Sequence, residues 1–124
     1  QEQTEGIRDP RLRLQHAIRS HLFLSEILRA WFYFSYMEAR HLSPEEKRRA
    51  VAAEHDTEKL FRELIEAGQQ SGVFRNCDSR MAAALLKPLL QDWYLKRSKY
   101  RSREISVEQY ADSVIELIEN HLID

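Results

Sequence analysis

The chain has 124 residues, and its 19 Lys and Arg against 20 Asp and Glu leave a net charge of −1. One domain is therefore expected, and no global charge marks nucleic acid as the partner of this segment. The single cysteine, Cys77, excludes an internal disulfide framework and fits a reducing cytoplasm, while the longest apolar run, residues 30–37, falls far short of the ~20 residues a membrane span needs.

Helix formers dominate, strand-type alternation is absent, and only 3 Gly and 3 Pro occur, so the chain reads as all-α. Gln1 to Gly6 is polar and carries no helix signal, and the chain does not start with Met. Residues 1–8 are read as a disordered or linker remnant and 9–124 as the domain, a piece of something longer. Asp9 followed by Pro10 is a helix start. A helix from 10 to 41 would be ~48 Å long, so a break is expected between Ser20 and Ser25, with Ser25 capping a second helix over residues 26–41. Ser43-Pro44-Glu45-Glu46 has the pattern of a capping box and opens a long helix toward Gly68 or Gly72, where Gly72 suits the left-handed position after a helix end. Asp78 caps the next helix, residues 79–97, in which Pro88 removes the hydrogen bond to the carbonyl of Ala84 and is expected to bend the helix. Residues 96–103 read as a polar, basic loop. Ser106 with Gln109 has capping-box spacing and starts the last helix, with Ile105 placed to staple onto Tyr110.

Two of these helices are apolar over a wide surface. In the helix from Asp78, Met81, Leu85 and Leu89 form one stripe, and Leu86, Leu90 and Trp93 form another beside it. In the last helix, Val107, Tyr110, Ala111, Val114, Leu117, Ile118 and Leu122 recur at three- and four-residue steps. A helix apolar on two adjoining faces is normally covered on both, and a second copy of the chain is the natural second cover. The expected homodimer seam is a four-helix bundle drawing on Leu85, Leu89, Lys96 and Tyr110, and on Val114, Leu117, Ile118 and His121.

Trp31, Phe32, Tyr33, Phe34 and Tyr36 place five of twelve aromatics within six positions. They face all round a helix, which fits a central helix packed on every side or a helix with one face on an apolar ligand cavity. On the second reading the lining is Leu24, Leu28, Trp31, Phe32 and Tyr36, with His55, Phe61, Leu86 and Trp93 from later helices. Tyr36 and His55 would supply the polar contacts. His16 and His21 are five residues apart and diverge on a helix, and no second histidine lies near His55, so no metal site is expected. Cys77 sits beside Arg75 and Arg80 without a partner base, and no nucleophile–base set appears, so neither catalysis nor a cofactor is expected. The basic run Lys96, Arg97, Lys99, Arg101 and Arg103 suits a solvated loop better than a phosphate-facing patch.

Several stretches, in order, resemble the C-terminal domain of TetR/AcrR-type transcriptional regulators. They are HLSPEEKRRA (41–50), ELIEAGQQSGVFR (63–75) followed by Asp78 and AAALL (82–86), QDWYLKRSKYR (91–101) and ISVEQYADSVIELI (105–118). The resemblance implies a ligand-binding and dimerising domain of five to six helices whose last two long helices build a four-helix bundle with a partner subunit. It also implies a cavity for a small apolar inducer, a fatty acid or acyl-coenzyme A among the candidates, in a transcriptional repressor. The family's helix-turn-helix would precede residue 9 and is missing, so DNA would be reached only through that separate domain. The alternative is a helical interaction or adaptor domain with no small ligand.

Overall fold

Asp9 begins the first helix, α1 (Pro10–Ile27), by accepting a hydrogen bond from the Arg11 amide at 2.9 Å, one residue ahead of Pro10. The structure is a computed structural model and describes residues 8–28, 30 and 43–123, without the side chains of 46, 47 and 49–55. The expected break between Ser20 and Ser25 does not occur. Ser25 is fully buried and its hydroxyl donates to the Leu22 carbonyl at 2.8 Å, a bond made within a continuing helix rather than at a cap. α1 ends at Leu28, whose amide reaches the Leu24 carbonyl. Glu26 and Ile27 therefore belong to the last turn of α1, and do not open a second helix.

The next described helix, α2 (Pro44–Gln70), starts at the predicted proline. Its end is fixed by two glycines with different roles. Gly72 has φ +83°, a left-handed conformation that costs an L side chain strain. Gly68 lies inside the last turns, and its carbonyl accepts from both Val73 and Phe74, at 2.9 and 3.0 Å. The chain thus folds back, and the buried Phe74 ring covers Gly68 so closely that a Cβ there would meet the ring at 2.1 Å.

α3 (Ser79–Leu95) is capped by the Asp78 carboxylate, which accepts from the amides of Arg80 and Met81 at 3.0 and 3.1 Å, and it runs on through Pro88. The expected loop after it is instead a short helix, α4 (Arg97–Ser102), with Tyr100 buried. Two of its cations do not face solvent alone. Arg97 pairs with Glu26 and Lys99 with Asp92. Ser106 and Gln109 form the predicted capping box at the start of α5 (Val107–Leu122).

α3 and α5 run antiparallel. The Arg75 amide, just before α3, bonds the Leu122 carbonyl at 2.7 Å, while Tyr110 at the start of α5 donates to the Leu89 carbonyl in the second half of α3. α1 packs on α2, α3 and α5 together. Its inner face of Leu14, Ile18 and Leu22 meets Phe61 and Ile65, Leu86 and Leu90, and Val114 and Ile118 in one core. Fully burying each such side chain contributes about 1.5–3 kcal/mol against exposure. Along its outer edge α1 is joined to α5 by Arg11 and Gln15 on Glu119 and by Arg19 on Asp112. Among the described residues there is no strand, and no helix is long and apolar enough to cross a membrane.

Gly68→Ala is expected to lower the unfolding free energy by about 1–3 kcal/mol, the usual cost of overpacking a closed site. Phe74→Leu in the same chain should recover part of that loss. Urea denaturation of the two variants and the parent checks both.

Candidate functional site

The two stripes foreseen on α3 have different fates. Leu86, Leu90 and Trp93 are all 0 % exposed, whereas Met81 is 55 % and Leu85 58 % exposed. On α5, Tyr110, Val114 and Ile118 are buried while Leu117 is 59 % exposed. Between these exposed ridges runs an open groove of about 580 Å³. α3 contributes Leu85, Pro88, Leu89 and Asp92 to its walls, and α5 contributes Tyr110, Ser113, Val114 and Leu117. Pro88 has no backbone N–H to give the Ala84 carbonyl, and its ring adds apolar surface to this wall.

Tyr100 from α4 closes one end of the groove. There Trp93, Tyr100 and Tyr110 form a compact ring cluster. Trp93 stacks on Tyr100 at 5.5 Å and 26°, lies 5.2 Å from Tyr110, and the two tyrosines meet edge to face at 4.8 Å. Such pairs add to the stabilisation from burial alone. The Tyr100 hydroxyl donates to Asp92 Oδ2, and Lys99 Nζ reaches the same oxygen at 3.0 Å while lying over the Tyr100 ring at 4.7 Å. Burial alone would raise the Asp92 pKa. The hydrogen bonds from Tyr100 and Lys99, with the charges of Lys99 and Lys96, outweigh it and hold the carboxyl below its ordinary range. Burial, and then the bond to Asp92, push the Tyr100 phenol upward, and burial with the neighbouring Tyr100 hydroxyl pushes Tyr110 far above its ordinary value. Both tyrosines therefore stay neutral donors, suited to holding a wall in shape rather than to proton transfer.

Of the residues expected at the seam, Leu85, Leu89, Tyr110, Val114 and Leu117 share the groove. Ile118 is buried in the chain's own core, Lys96 is exposed between α3 and α4, and His121 is exposed at the end of α5 with its carbonyl accepting from Arg75 Nε. Of the residues expected around a ligand, Trp31, Phe32, Tyr36 and the His55 side chain lie outside the described residues. Leu24 and Leu28 are exposed on the last turns of α1, at 49 % and 42 %. Phe61, Leu86 and Trp93 are enclosed in the core. Sequence reasoning missed Tyr100, which it left in a basic loop, and gave Asp92 no role. The seven-residue step from Trp93 to Tyr100, two helical turns, was the available signal. Among the described residues no group of three His, Cys, Asp or Glu side chains could hold a metal ion.

A family model described as Tetracyclin repressor-like, C-terminal domain, matches residues 8–120. No curated protein and no solved structure shows a significant match to the chain.

The depressed Asp92 value carries a pH dependence of known sign. In acid the unfolded chain takes up this proton first, so the Asp92 contribution is present at neutral pH and is lost as pH falls through the folded-state value. Asp92→Asn should be less stable than the parent at about pH 7, and the two stability curves should converge only as pH falls below the ordinary aspartate value of ~3.9 and on through the depressed folded-state value. Urea midpoints across that interval measure the convergence.

Proposed function

Because the chain belongs to the tetracyclin-repressor-like C-terminal domain family, we propose that it is the effector-sensing and dimerising part of a cytoplasmic transcriptional repressor. DNA contact falls to a separate N-terminal domain. The observation that carries the dimer half of this reading is the apolar groove between α3 and α5, with Leu85 and Leu117 exposed on its two ridges. Two copies related by a twofold axis bury the same patch on both sides, which suits a self-complementary pair of ridges and grooves. The seam should bury more than about 1,000 Å² in total, the level of a specific contact.

The sensing half places a small, largely apolar effector against residues 31–36, the apolar part of α2 and the start of α3. A fatty acid or its coenzyme A thioester has the right chemistry, an apolar body with one polar head. Leu24 and Leu28, exposed at the end of α1, then belong to the wall, with Phe61, Leu86 and Trp93 as the floor behind it. Tyr36 and His55 meet the polar head. Effector binding favours one arrangement of the helices and so respaces the two DNA-reading heads, which must match half-sites about one turn of DNA apart.

Leu85→Glu with Leu117→Glu should convert a dimer into a folded monomer, weakening self-association by about 100-fold or more, because each places a charge in an apolar seam. Sedimentation velocity reads the mass and far-UV circular dichroism the fold. Ile118→Glu, by contrast, should unfold the chain, since Ile118 is only 6 % exposed within one copy. A parent chain that stays monomeric at high micromolar concentration sinks the dimer reading.

Saturated fatty acids of increasing length and their coenzyme A thioesters, titrated in a thermal-shift assay, test the sensing half. A ligand that binds only the folded state raises the apparent melting temperature. Tyr36→Phe should weaken the best binder by about 0.5–1.5 kcal/mol, one net hydrogen bond. No shift with any member of the series, together with a folded dimer, favours an interaction domain without a small ligand.

A further inference from the structure

Glu26 sits in the last turn of α1 and takes no part in the groove, yet it holds the side chain against which the groove's end wall rests. Its Oε1 accepts from the Trp93 indole N–H at 3.1 Å and from Arg97 Nε at 3.3 Å, and its Oε2 accepts from Arg97 Nη2 at 3.2 Å. The Arg97 guanidinium lies over the Trp93 ring at 4.7 Å. The indole is thus fixed at its N–H edge by a carboxylate and on its ring by a cation, while Tyr100 and Tyr110 pack on it from the groove side. We propose that Glu26 is a positioning residue for dimerisation, setting the groove's end wall through Trp93. The inference rests on the reading of the groove as the seam between two copies.

An indole has one polar atom, a donor, and no acceptor. Trp93 is 0 % exposed while Glu26 is in place, so its N–H depends on that carboxylate. Without it the N–H loses its protein acceptor, and the ring is no longer held at that edge. A rotated indole no longer offers the same surface to Tyr100 and Tyr110, both of which line the groove. Asp92, also in the wall, follows Tyr100 through their hydrogen bond. Arg97 depends on Glu26 as well. Its Nη1 is buried and makes no hydrogen bond, and the bonds from Nε and Nη2 both end on Glu26. Removing one carboxylate therefore loosens the edge and the face of the ring together.

The position of Glu26 gives this arrangement a direction. Two residues after it comes Leu28, and then the aromatic stretch to which the effector is assigned. A displacement of the end of α1 reaches the polar edge of Trp93 through Glu26, beside the core that the two helices share. Coupling between two binding events is reciprocal, so assembly of the seam also biases the end of α1.

The test is the dimer dissociation constant of the full chain by sedimentation equilibrium, with helix content followed by circular dichroism. Glu26→Ala should weaken dimerisation at least about tenfold without loss of helix, a coupling of ordinary size for contacting groups. Glu26→Gln, whose amide oxygen still accepts the indole N–H, should recover most of that loss. In a Trp93→Phe background, which has no N–H to satisfy, replacing Glu26 should change the constant by less than about threefold. An equal loss in both backgrounds overturns the proposal, as does an unchanged constant for a folded Glu26→Ala dimer. If Glu26→Ala does not fold, the same comparison is made with Glu26→Met, which keeps the length of the side chain without its carboxylate, and a loss that persists undiminished in the Trp93→Phe background again overturns it. A parent chain that is monomeric throughout removes the seam itself, whereas a dimeric parent indifferent to Glu26 removes only this inference.

Discussion

α3 carries apolar side chains on two adjoining faces, and among the described residues only one of them is covered. Leu86, Leu90 and Trp93 vanish into the core beneath α1 and α2, while Met81 and Leu85 remain uncovered. Apolar area left in water is the largest unrealised stabilisation available to a chain of this size. The antiparallel return of α5 halves the problem without ending it. It covers Leu89 in part and leaves a groove with Leu117 on its far ridge. The proposed self-association follows from that shortfall in cover.

α1 organises the other side of the molecule. It touches α2, α3 and α5, and its inner face supplies Leu14, Ile18 and Leu22 to the core they share. The Arg11, Gln15 and Arg19 contacts to α5 lie at its solvent edge, where ion pairs add little to stability. Their use is positional. Steps of four residues on α1 meet Glu119 and Asp112 on an antiparallel helix, and a slip of one turn would mismatch them. Burial holds α1 down, and the polar edge sets where along α5 it rests. The Glu26 contacts continue the same attachment onto α3 and α4, where the carboxylate meets a buried indole instead of solvent.

Features that depend on a few consecutive residues were legible in the chain alone. Asp9 with Pro10, Asp78, Ser106 with Gln109, and Gly72 mark helix ends because capping bonds and left-handed turns form between near neighbours. The double stripe on α3 was equally legible, since a helical period needs no knowledge of what lies opposite. Tertiary structure decided the rest. Ser25 looked like a cap because serine caps helices, but its hydroxyl found a carbonyl within α1, and its burial among packed helices favoured the continuing turn. Residues 96–103 looked like a solvated loop because they are charged. Arg97 and Lys99 instead find carboxylates on other helices, and Tyr100 finds Trp93 and Tyr110, so a short helix forms. Val114 and Ile118 belong to the same stripe as Leu117, and only the position of α1 makes two of them core and leaves the third exposed. In each case the deciding partner lies far away in sequence, and no local pattern encodes which side of an apolar helix its own chain will reach.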